Sequence, residues 1–297
     1  MNTGSKVFFS NIDTEAPINN FSWAIFQEIL NTGEENIVFS PLSVYYALAM
    51  ATSGASYQTL YELETVLGIS QNEIGAALNQ LYRELTGNGD NFILDIVNSV
   101  WISDKFDIIP QLEEDMQNYF GSLPKIRDFT SPRVVDEVNK WINEATQGLI
   151  EEMLDEIDEE TVAMLINAIY LKASWTFLLQ KTNQYTSFTL ENGTIVNNVS
   201  FITMSSGSSY LPVSVSSDYE AFMIPLAYSN LGFFVIRPTN SSINQFVQNN
   251  DIEQIFRDLE REMAQIFMPE FDKSFDIELT CVLQNMGLIS AFDELSA

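Results

Sequence analysis

Two runs constrain this chain more than anything else in it. Residues 92–102 (FILDIVNSVWI) and 162–171 (VAMLINAIYL) carry Ile, Val, Leu and aromatic side chains at both parities instead of alternating them with polar ones. Successive side chains of a strand point to opposite faces, so strands of this kind must be covered on both sides. They read as buried strands of a sheet, with residues 92–102 at its centre. A chain of 297 residues can bury roughly 75% of the surface it exposes when unfolded, which is enough for such a core.

Helical spacing dominates the first half. Phe21, Ile25, Phe26, Ile29 and Leu30 recur along one face of residues 19–30, and the polar NTGEEN ends that helix. Residues 36–40 read as a short strand entering Ser40, a good N-cap, with Pro41 at the first helical position, where its missing N–H costs nothing. Leu42, Tyr45, Tyr46 and Ala49 line the helix that follows. Thr59 with Glu62, and Ser70 with Glu73, have capping-box spacing, each ahead of a leucine-rich stripe. Ser131-Pro132 opens another helix, with Val134, Val138, Trp141 and Ile142 on one face.

Strands prevail in the middle of the chain. Asn192-Gly193 is a hairpin signal, and residues 219–226 and 231–236 read as further strands. A helix with Ile252, Ile255, Phe256, Leu259 and Met263 on one face is expected next, then a strand over 265–271, then a helical stripe of Leu279, Val282, Leu283 and Met286. With no fixed repeat and no long linker, residues 1–297 are expected to form one α+β domain.

Charge and missing residue types exclude whole classes of chemistry. Thirteen Lys and Arg against forty-one Asp and Glu leave a net charge of −28, which repels nucleic acid, anionic membranes and sulfated glycans such as heparin. The chain has no histidine, so a Ser/His/Asp triad, a Cys/His pair and an HExxH zinc site cannot be built. Cys281 is the only cysteine, which rules out an internal disulfide, and its helical setting reads as a small buried hydrophobe. The acidic run over 151–160 lacks the spacing and glycine of a calcium loop and reads as solvated surface, so neither metal nor cofactor is expected. MNTGSKVFFSNIDTEAP lacks the apolar region of a secretory signal. The sequons at Asn20, Asn192, Asn198 and Asn240 would carry sugar only on a secreted chain.

From residue 36 onward the sequence resembles the serpins. NIVFSPLSVYYALAMATSGA (36–55) is similar to the family's opening signature, and VNKWINEATQGLI (138–150) to the segment ahead of its central sheet. INAIYLKASW (166–175) resembles its Asn-Ala-Ile-Tyr-Phe-Lys-Gly-x-Trp strand, and Pro225, Pro269-x-Phe271, Met286-Gly287 and Ala291-Phe292 follow in the family's order. Ala173 departs from the usual Gly, Leu178-Leu179 from Pro-Phe, and Ser200-Phe-Ile from Pro-Met-Met. After Ala291-Phe292 the family pattern continues through a central-sheet strand, a hinge, a reactive loop and the last strands of the other sheets, so these are expected to be missing from a chain ending at Ala297.

The resemblance implies N-terminal helices packed on a large central mixed sheet, with two further antiparallel sheets. It implies inhibition of serine or cysteine proteases by insertion of the cleaved loop into the central sheet, a step this chain cannot perform without that loop, and no enzymatic activity of its own. It also implies a monomer, outside the cell by family habit, although the lack of a visible signal leaves the cytoplasm open. In the family a polar cluster guards sheet opening; the matching positions are Ser40, Ser43 and Asn167, and the usual His partner would lie beyond Ala297. Trp175 matches the residue near the loop-entry end of the sheet. Read from the residues alone, Ser40 and Ser43 serve equally well as an N-cap and a solvated helical hydroxyl. A non-inhibitory binding or decoy protein of the same fold is the alternative function, with a carboxylate-based glycosidase a distant third.

Overall fold

The computed structural model describes residues 15–34 and 36–292; the readings made of a leader in residues 1–14 and of the chain's end at 293–297 lie outside them. In chain order the first elements are α1 (Glu15–Asn31), α2 (Pro41–Thr52), α3 (Tyr57–Leu67), α4 (Gln71–Leu85), β1 (Gly87–Gly89) and β2 (Phe92–Ser103). Then come α5 (Pro110–Tyr119), β3 (Lys125–Arg127), α6 (Arg133–Ala145), β4 (Ala163–Ala173), β5 (Leu179–Thr182), β6 (Ser187–Thr189) and β7 (Ile195–Asn197). The rest are β8 (Phe201–Met204), β9 (Ser209–Val215), β10 (Tyr219–Pro225), β11 (Gly232–Pro238), α7 (Ile243–Asn249), α8 (Ile252–Arg257), β12 (Glu260–Ala264), β13 (Phe267–Pro269) and α9 (Thr280–Asn285), with a short 3-10 turn at Ser290–Phe292. The chain divides into two compact units, one running to Lys172 and resuming at Phe275, the other Ala173–Ser274.

In the first unit β2 is central, pairing with β1, β3 and β4, with β1 antiparallel and β3 parallel to it. Its two faces go to different layers. Ile96, Val100 and Ile102 join the helical core of α1 to α4 and α9, whereas Trp101 on the opposite face packs with Val134, Val138 and Ile142 of α6. That division is why both parities had to be apolar. The helical core also satisfies its buried polar atoms: Tyr45 Oη donates to Leu67 O (3.0 Å), at the end of α3, and Tyr46 Oη to Leu78 O (2.9 Å). Burial raises both phenol pKa values above the ordinary 10.0.

The second unit stacks an antiparallel sheet, in the order β11-β10-β9-β12, against the three strands β13-β8-β5. Met204, Leu211, Ile224 and Ile266 fill the space between, while α7 and α8 cover the outer face through Phe246 and Ile255. The hairpin β6–β7 turns at Asn192-Gly193 as expected, with Leu190 N donating to Thr194 O (2.8 Å), and exposes every residue of both strands.

Several local expectations fail for identifiable reasons. Residues 36–40 lead into α2 without entering a ladder, so the expected strand is absent there. Helix α3 starts at Tyr57 behind Ser56, ahead of the Thr59 and Glu62 box, and Glu62 is engaged elsewhere. Its carboxylate accepts from Ile289 N (2.8 Å), Ser290 N (2.7 Å) and Ser290 Oγ (2.8 Å), tying the 3-10 turn to α3. Ser70 does precede α4, but its hydroxyl donates to the Glu73 carboxylate (2.6 Å) instead of capping a backbone N–H. The helix expected to run from Ile252 to Met263 stops at Arg257, and Met263 belongs to β12, paired with Tyr210 of β9. Cys281 is exposed on α9, not buried; Val282 and Leu283 beside it face the core.

Candidate functional site

The residues brought together at the heart of the first unit are Asn167 and Asn98. Asn167 shares its parity with Leu165 and Ile169, which pack on the helical core, and not with Ile166, which faces α6. Its Nδ2 donates to Asn98 Oδ1 on β2 (2.8 Å) and, at longer range, to Val97 O (3.4 Å). Asn98 Nδ2 in turn donates to Phe120 O just past α5 (3.0 Å). Ser103 N donates to Val162 O (2.9 Å) further along, so positions rise on β2 as they fall on β4 and the two strands run antiparallel. A chain of two amides thus bolts β4 to β2 and β2 to the end of α5.

One atom of this amide pair lacks a partner among the described residues. Asn167 Oδ1 is buried and accepts no hydrogen bond from the described residues. An amide oxygen left so among apolar side chains costs about 1–3 kcal/mol.

Ser40 and Ser43 are joined to each other, since Ser40 Oγ accepts from Ser43 N (3.1 Å) and so caps α2. Among the described residues no hydrogen bond links either serine to Asn167. Trp175 lies in the second unit, where its ring meets Phe233 edge-on at 5.5 Å and its backbone bridges Leu226. The arrangement around Asn167 holds strands; it contains neither a nucleophile nor an acid–base pair. Among the described residues no three His, Cys, Asp or Glu side chains are placed to hold a metal ion, and no helix is long and apolar enough to cross a membrane.

A family model, Serpin (serine protease inhibitor), matches residues 16–297. The chain belongs to the serpin family. An uncharacterized serpin-like protein of Thermococcus kodakarensis is 27% identical over 285 residues, a match covering 93% of this serpin and 65% of the relative. Human neuroserpin is 24% identical over 94% of this chain and 72% of its own. Among solved structures, the thermophilic serpin tengpin in its latent state superposes with a TM-score of 0.83 at 25% identity, covering 97% of this chain and 79% of that one. This serpin thus spans about two thirds of the length of these two curated relatives. The α+β serpin architecture expected from the sequence is the one observed, with a mixed sheet in the first unit and antiparallel sheets in the second.

Asn98 escaped the sequence reading. The signal was present: an amide in mid-strand, flanked by apolar residues at both parities, needs a buried partner, and Asn167 is the matching anomaly on the other strand.

Proposed function

We propose that this serpin acts as an inhibitor of serine or cysteine proteases and that Asn167 is the catch regulating the opening of its central sheet. The observation that supports the reading is the amide pair between β2 and β4, whose acceptor Oδ1 is buried with no partner among the described residues. A polar pair in an apolar sheet holds one register well and is costly to break halfway, which is what a guarded strand boundary requires. Ser40 and Ser43, at the start of α2, are proposed to belong to the same guard from the core side, and Trp175 to the sheet's loop-entry region. The inhibitory step needs a reactive loop. The experiment is to measure the intact mass of the native protein and then incubate it with serine and cysteine proteases. A protease adduct that survives SDS is the expected result. Cleavage without any adduct, across the panel, would instead make this a non-inhibitory binding protein.

A further inference from the structure

Strand β3 carries an unusual pair of cations. Lys125 and Arg127 are two residues apart and so project from one face of it. Among the described residues the strand pairs with β2 alone, in parallel, Trp101 opposite Lys125 and Ser103 opposite Arg127, which places both cations at a sheet edge. Lys125 Nζ lies 4.2 Å from the centroid of the Trp101 ring and 5.4 Å from that of Trp141 on α6. Arg127 Cζ lies 5.7 Å from the same Trp101 ring. Lys125 Nζ also donates to Ser99 Oγ, at 3.3 Å, and Ser99 itself is fully buried.

The charges do not balance locally. Arg127 Nε is bonded to the Glu137 carboxylate at 2.7 Å and its Nη1 to Ile126 O at 2.8 Å. Lys125 enters no ion pair among the described residues, on a chain where acids outnumber cations 41 to 13. A partly buried lysine and an arginine whose side chain is 39% exposed therefore share one carboxylate. Indole faces can hold an ammonium without neutralising it. Burial, and then the neighbouring Arg127, lower the pKa of Lys125, and the Glu137 carboxylate opposes them only in part, so a ligand's negative charge would relieve the remaining cost.

We propose that Lys125 and Arg127, with the buried Ser99 hydroxyl holding the ammonium in place, form a binding site for a small oxyanion of the phosphate or sulfate class. The Lys125 ammonium has protons beyond the one given to Ser99, and Arg127 Nη2 donates to no group among the described residues, so two cationic donors lie near a single indole. A tetrahedral oxyanion can accept from both at once. The site is independent of the inhibitory reading, which does not use these residues.

The test is competitive amine labelling of the whole protein at neutral pH and constant ionic strength, read by peptide mapping. Inorganic phosphate at about 10 mM is expected to slow acylation of Lys125 about threefold relative to Lys105 and Lys140, as mass action gives for a site half-filled near 5 mM. Chloride in its place should leave the ratio unchanged, and Arg127→Gln should abolish most of the protection. A Lys125 ratio that ignores phosphate, or full protection persisting in R127Q, would overturn the proposal. The wild-type ratio decides alone if R127Q does not fold.

Discussion

Single residues carry the long-range ties of this fold. Glu62 is the plainest, a surface carboxylate that accepts from the Gln58 amide and from three groups more than two hundred residues away in sequence. The Gln58 amide, and then the groups of Ser290 and Ile289, lower its pKa from the ordinary 4.5 to about 2. Because the folded state prefers the ionised form, the stabilisation is complete above pH 4.5 and is lost as pH falls toward about 2. Glu62→Ala is therefore expected to lower the denaturation midpoint at neutral pH, with the gap from wild type closing as denaturant curves are repeated from pH 6 down to pH 2. A gap independent of pH would show that the carboxylate is not what holds the turn. Asn167→Ala should cost about 1–2 kcal/mol in the same assay, because Asn98 Oδ1 loses its donor while the partnerless Oδ1 of Asn167 also disappears. A loss above that range would mean that the amide holds more than β2. Of these residues the sequence made Ser40 legible as an N-cap, whereas it pointed to Asn167 only through the resemblance and not to its partner Asn98. It misled at Glu62, because capping-box spacing cannot reveal a stronger set of donors brought in by the tertiary fold.

At the level of elements, the long apolar runs and the capped helices were legible, and short pieces competing with them were not. The strand β12 was hidden because Phe256, Leu259 and Met263 continue the helical spacing of Ile252 and Ile255, and only pairing with β9 resolves the ambiguity. Helix α5 passed unnoticed for a related reason: Met116 is the one buried residue in it, too little to set a stripe. Its packing on α4 gives a prediction whose sign runs against propensity. Gly75 lies inside α4, where alanine is normally better by about 1 kcal/mol. A Cβ there would fall 2.6 Å from Tyr119 Cδ2 and 3.2 Å from its Cβ, so the obstacle is the root of the side chain and not a movable tip. Gly75→Ala is expected to destabilise by about 1–3 kcal/mol in thermal or chemical melts. The double variant G75A/Y119A should recover part of that loss; equal stability of G75A and wild type would place Tyr119 further off.

For the molecule as a whole, charge sets the terms. The ion pairs among the described residues, such as Arg237 with Glu220 and Lys181 with Glu270, are all at the surface and contribute little individually. With a net charge of −28 the compact state repels itself, so melting temperature is expected to rise as salt goes from about 0.01 M to about 0.15 M, where the screening length falls from roughly 30 to 8 Å. A flat or falling melting temperature over that range, measured calorimetrically at pH 7, would contradict this. The exposure of Cys281 provides the means to watch such changes. It is the one sulfhydryl in the polypeptide and stands in the open on α9, a few residues before the turn clasped by Glu62. A maleimide dye would thus attach once per molecule with no engineering, and its emission would register release of that clasp separately from the melting of the rest.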